Sequence, residues 1–177
     1  MKDMILNQIN INDQKNECKS RIESLENWLR RIVDKDLTEK YGFDYLNNVK
    51  KEIKDNIQIR YNNSPDKYSR LIDASDLSHL IQIFCNPNFY NDIFIKYQNK
   101  FYPENMSKGE NYLKYLFDKL YEIRCNLSHA NEISIKDFEF VMYFTSAQIE
   151  SYNDFYIKSG KEQDYGLDPK FSTQTLY

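Results

Sequence analysis

Apolar residues recur every three or four positions along most of this chain, and no segment alternates apolar with polar residues between hairpin turns. That regularity predicts an all-α fold, an up-and-down helical bundle of about five to six helices. Over 13–41 the stripe is Cys18, Ile22, Leu25, Leu29, Ile32, Val33 and Leu37, stopped by Gly42. A second stripe, Leu46, Val49, Ile53 and Ile57, predicts a helix running to about Tyr61 and broken by Pro65. Ser75 or Asp76 caps a third helix carrying Leu77, Leu80, Ile81 and Phe84, which Asn86 and Pro87 end. Phe89, Ile93 and Tyr97 make a short fourth helix, and the segment 102–109 reads as the longest interior loop. The most regular stripe of all, Leu113, Leu116, Phe117, Leu120, Ile123 and Leu127, predicts a helix over 110–129. Ser134, with Asp137 three residues later, resembles a cap for a sixth helix through Val141, Ile149 and Tyr152.

Composition bounds the rest. With 177 residues, 41% of them hydrophobic and only 4 Gly and 4 Pro, the chain reads as one domain over 1–158, followed by a polar tail or packed extension over 159–177. No apolar run approaches the roughly eighteen residues of a membrane span, and the first dozen residues do not pattern as a signal peptide. The expected setting is therefore cytoplasmic, without a membrane partner. Cys18, Cys85 and Cys125 are odd in number and widely spaced, which argues against a disulfide framework and a zinc site. Lys and Arg total 24 against 27 Asp and Glu, a net charge of -3, so the protein as a whole does not attract nucleic acid. A phosphate partner must meet a local patch.

One residue conflicts with its helix. Arg124 lies four residues after Leu120 and three before Leu127, on or beside the buried stripe. Because an unpaired buried charge costs several kcal/mol or more, Arg124 must meet an acid, open into a cleft or lie at a subunit interface. His129, one of only 2 histidines, follows near the helix end, with Asn126 and Ser128 between them.

The stretch from Leu120 to His129, an Arg separated from a His by four residues near the end of a late helix, resembles the signature of the HEPN superfamily. Glu26-Asn27-Trp28-Leu29-Arg30-Arg31 in a long first helix, followed by Tyr41-Gly42, is similar to several bacterial HEPN families as well. The resemblance implies an all-helical domain that dimerises to bring two motifs together, commonly as a metal-independent endoribonuclease. Such a protein needs no cofactor: the RNA 2′-OH attacks the neighbouring phosphate, His129 moves protons and Arg124 stabilises the phosphorane, with Asn126 in support. It also implies a toxin or antiphage effector, with RNA as substrate and a protein antitoxin or regulator as partner. Members of the family commonly carry a polar residue directly after the Arg, where this chain has Cys125. Asn131 stands where some HEPN toxins have a modifiable Tyr, so control by that modification is not expected.

Blander readings stand beside these. Arg124 and His129 also suit a structural salt bridge and a helix-dipole contact, and Asn126 and Ser128 suit either phosphate binding or helix termination. Lys50, Lys51 and Lys54 are candidate backbone grips, as are Arg30 and Arg31, but Glu52 and Asp55 interleave with the lysines as on an ordinary solvated face. His79 has no ligand partner at helical spacing and reads as a surface or satisfied core residue. Cys125 and His129, one turn apart, lack the orienting third group of a nucleophilic pair. The alternative to a nuclease is a non-catalytic HEPN module that binds nucleic acid, nucleotide or protein through Arg124.

Overall fold

The computed structural model describes residues 2–98, 106, 111–129 and 132–160, with the backbone alone over 2–11. Among the described residues are six α-helices and no strand: α1 (Lys2–Tyr41), α2 (Lys51–Asn63), α3 (Leu77–Phe84), α4 (Pro87–Phe89), α5 (Tyr112–Ser128) and α6 (Ile135–Lys158). The chain is an all-α helical bundle. No helix among these residues is long and apolar enough to cross a membrane. Beyond Gly160 the expected tail lies outside the described residues, as does the 102–109 loop apart from Met106.

Helix α1 is the spine, because its stripe from Cys18 to Leu37 is buried throughout and includes Trp28. Helix α6 lies along it, and α3 and α5 pack against it as well. Gly42 ends α1 with φ at 84° while its N–H donates to the Thr38 carbonyl at 2.8 Å, a left-handed cap that a Cβ disfavours. The caps of α3 and α6 are side chains: Asp76 accepts from the His79 N–H, and Ser134 accepts from the Asp137 N–H at 3.1 Å.

Two expected elements differ. Leu46 and Val49 are buried, but Leu46 sits in a 3-10 turn (Tyr45–Asn48), and Lys50, with ψ at 132°, delays the start of α2 to Lys51. A chain can thus keep apolar spacing through a turn that is not α-helical. The short fourth helix is a single turn of α4, followed by a wide π turn (Tyr90–Phe94) and a 3-10 turn (Ile95–Tyr97). That widening buries Tyr90 and Phe94 in addition to Phe89, Ile93 and Tyr97, more rings than one α-helical face presents.

Those rings build the core. Phe84 stacks on Phe94 at 4.9 Å and meets Phe117 edge-on, Phe117 meets Phe144, and Trp28 stacks on Tyr156 at 5.5 Å. A buried polar seam joins α1, the 3-10 turn and α6. The carboxylate of Asp36 accepts the Tyr97 hydroxyl at 2.7 Å and faces Lys96 Nζ at 3.0 Å, while the Tyr97 and Tyr156 hydroxyls lie 3.2 Å apart. Gln98 and Gln148 exchange amide hydrogen bonds, and Ser151 donates to the Tyr97 carbonyl. Every bond in such a seam matters, since an orphaned partner is left without water.

Two outcomes follow for stability. Asp36→Ala removes the acceptor of the buried Tyr97 hydroxyl, leaving it Tyr156 alone, and the counter-charge of the partly exposed Lys96, and urea denaturation is expected to show a loss of about 2 kcal/mol. Burial raises the pKa of Tyr45, Tyr90, Tyr97, Tyr152 and Tyr156. Because the unfolded chain releases those protons near pH 10 and the folded chain retains them, stability is full below that pH and falls above it. The expected slope in alkaline denaturation is up to about 1.4 kcal/mol per pH unit for each buried tyrosine.

Candidate functional site

Helix α5 carries the candidate residues, and its geometry separates them. Leu113, Leu116, Phe117, Leu120, Ile123 and Leu127 are buried, and Arg124 lies inside the arc they define, turned toward α1. Its side chain retains 39% exposure, and Nη2 lies 3.8 Å from Glu26 Oε2. At that distance the contact is an ion pair through space and not a hydrogen bond. The guanidinium makes no hydrogen bond to a described residue.

Glu26 itself is 15% exposed and serves two cations. Its Oε1 accepts Arg30 Nη2 at 2.7 Å. Arg30 also donates to Asn27 Oδ1 at 2.8 Å and to the Ser75 carbonyl at 2.9 Å, so it is fully committed to holding α1 against the start of α3. This settles Arg30 as a structural residue. Arg124 shares the same carboxylate but keeps its donors open.

His129 is the C-cap of α5 and is exposed, with its N–H donating to the Asn126 carbonyl at 3.2 Å. The helix is regular to Ser128, so positions five apart point about 140° away from each other. One copy of the chain therefore does not bring Arg124 and His129 together. Asn126 is also exposed, two residues and so about 160° from Arg124, on the side of α5 that His129 shares. Ser128 donates its hydroxyl to the Arg124 carbonyl at 3.1 Å, which closes the last turn of the helix. Cys125, one turn after Tyr121, is half-buried, and its thiol is the largest of the influences that raise the Tyr121 pKa.

Lys50 and Lys51 are exposed at the start of α2, and Lys54 donates to Asn47 Oδ1 at 2.5 Å. No described contact joins these lysines to Arg124. His79, buried at 8%, is the reciprocal cap of α3: its Nδ1 accepts the Asp76 N–H at 3.2 Å, and Asp76 is steadied by Arg60 Nη1 at 3.2 Å. The residue that sequence reasoning placed only within a resemblance, and not in the site, is Glu26. Its spacing of four from Arg30 signalled an ion pair on α1, but no pattern along one helix reports a contact with a second. Compared with protein-family models, curated proteins and solved structures, the chain matches none.

Burial lowers the pKa of His79, an effect that Asp76 opposes. The unfolded chain then takes up a proton before the folded one as pH falls below about 6.5, and stability is lost in that direction. His79→Gln keeps an acceptor for the Asp76 N–H without titrating. Chemical denaturation at several pH values is expected to show a flatter decline for this variant between about pH 6.5 and 5 than for the unmodified chain.

Proposed function

We propose that this chain is a HEPN-type, metal-independent endoribonuclease that acts as a homodimer, with RNA as its substrate and a cytoplasmic setting. The observation that carries this reading is the state of Arg124. It is a half-exposed guanidinium on an apolar stripe that, among the described residues, pairs with Glu26 at 3.8 Å and makes no side-chain hydrogen bond, on the same helix that exposes His129 at its end. Such a group suits an incoming oxyanion better than it suits architecture.

The chemistry needs a base, an acid and a stabiliser of phosphorane charge. The RNA 2′-oxygen bonds to phosphorus as an imidazole takes its proton, the bond from phosphorus to the 5′-oxygen breaks, and an imidazolium protonates that leaving group. The products are a 2′,3′-cyclic phosphate and a 5′-hydroxyl. Arg124 donates to the equatorial oxygens. Since Arg124 and His129 diverge within one copy, the active centre on this reading gathers the motifs of both copies about a twofold axis, so that one His129 serves as base, the partner's His129 as acid, and Arg124 as the phosphate stabiliser. Asn126, on the arc of His129, supports the imidazole and not the guanidinium. A chain with this activity requires restraint by a protein inhibitor, as toxins and antiphage effectors do.

One observation favours a second reading, a non-catalytic module that binds nucleic acid, nucleotide or protein through Arg124. The position after the Arg, where the family commonly has a polar group, holds the half-buried thiol of Cys125.

The test is incubation of the purified chain with structured RNA in EDTA, alongside Arg124→Ala and His129→Ala. The nuclease reading expects cyclic-phosphate ends and a loss of at least about 10²-fold in each variant. Light scattering after size exclusion is expected to report a dimer at micromolar concentration. Cleavage that survives both substitutions, or RNA binding without cleavage, contradicts the nuclease reading, and the second of these outcomes supports the alternative.

A further inference from the structure

The end of α5 and the start of α6 enclose a half-open cavity of about 150 Å³ lined by Ile123, Asn126, Leu127, Glu132, Ile133 and Asp137. Its floor is apolar, for Ile123 and Leu127 are buried and Ile133 packs against the core. Its rim is an amide and two carboxylates. Asp137 uses its backbone N–H to cap α6, while the Asp137 and Glu132 carboxylates and the Asn126 side-chain amide make no hydrogen bond or ion pair to a described residue.

The field here is negative. Glu132 and Asp137 line the pocket, and the Asp137 carboxylate adds to the rise of the Cys18 thiol, which burial pushes up to about 11; Glu17, which adds to it as well, is paired with Arg21 at 3.0 Å. Inside the pocket itself these two carboxylates disfavour an anion. An apolar floor under an anionic rim is instead complementary to a long cationic side chain, whose methylenes lie on Ile123 and Leu127 while its head meets the carboxylates. A guanidinium has enough donors to meet both carboxylates and the amide oxygen together. Half open, the cavity covers the stem and head of such a side chain and leaves its backbone end outside.

We propose that this pocket docks an arginine side chain presented by a protein partner. Because the carbonyl of Asn126 holds the N–H of His129, a partner seated there lies against the C-terminal turn of α5. The inference stands on the pocket and does not depend on whether the chain cleaves RNA.

The test titrates the ¹⁵N-labelled full chain with the tripeptide acetyl-Gly-Arg-Gly-amide and, separately, with its neutral citrulline analogue and with agmatine. The expected result is saturable shifts of the amides of Ile123, Asn126, Leu127 and Asp137 with the arginine peptide and none with the citrulline peptide. Glu132→Gln combined with Asp137→Asn is expected to weaken binding by at least about tenfold. Should amide dispersion show that this pair of substitutions disturbs the fold, Glu132→Gln alone, at an exposed site, is expected to weaken it by about threefold or more. The proposal is overturned by shifts centred elsewhere or absent, by equal binding of the citrulline peptide, or by variants that bind as the unmodified chain does. Agmatine binding tenfold tighter than the peptide also overturns it, in favour of a free small cation.

Discussion

A guanidinium set into an apolar helix stripe has to be compensated, and in this bundle Glu26 is the group that does it. The carboxylate stands between two cations and treats them unequally: Arg30 at 2.7 Å, with further bonds to Asn27 and Ser75, and Arg124 at 3.8 Å with none. Coulomb attraction falls only slowly over that interval, whereas hydrogen bonding is lost altogether. Arg124 is thus neutralised without being saturated. That difference separates a residue that fastens α1 to α3 from one that remains available to a ligand.

Helix geometry then decides what one copy can do. A straight α5 sends Arg124 toward α1 and leaves Asn126 and His129 on the outer arc, so any chemistry using both Arg124 and His129 calls for a second copy. The outer arc has its own character. Asn126 lines a pocket together with Glu132 and Asp137, while Arg124 on the inner arc carries a cation, so the two faces of one helix end bear opposite charge.

The elements legible in the sequence were those whose periodicity and end signals agreed. The stripe from Leu113 to Leu127 and the cap at Ser134 predict α5 and α6 because apolar spacing and local hydrogen bonding point the same way. The start of α2 was not legible, since Leu46 and Val49 satisfy helical spacing while lying in a 3-10 turn and the residue after it. Nor was the π turn at Tyr90–Phe94, which tertiary burial of extra rings selects over local propensity. For the site, the placement of Arg124 on the buried arc, and its need for an acid, a cleft or an interface, could be read from spacing alone. That the acid is Glu26, and that Asp76 occupies His79, could not, because these are contacts across elements or around caps that no single periodicity encodes.

The claim on which the account turns is that Arg124 is held for an oxyanion and not for architecture. Its most direct measurement compares the affinity of an uncleavable 2′-O-methyl RNA oligonucleotide for the unmodified chain and for Arg124→Gln, with the unfolding free energy of both read in parallel. The account predicts a dissociation constant raised about tenfold or more, with stability changed by less than about 1 kcal/mol, as befits a long, half-exposed ion pair. Unchanged affinity together with a stability loss of several kcal/mol would contradict it.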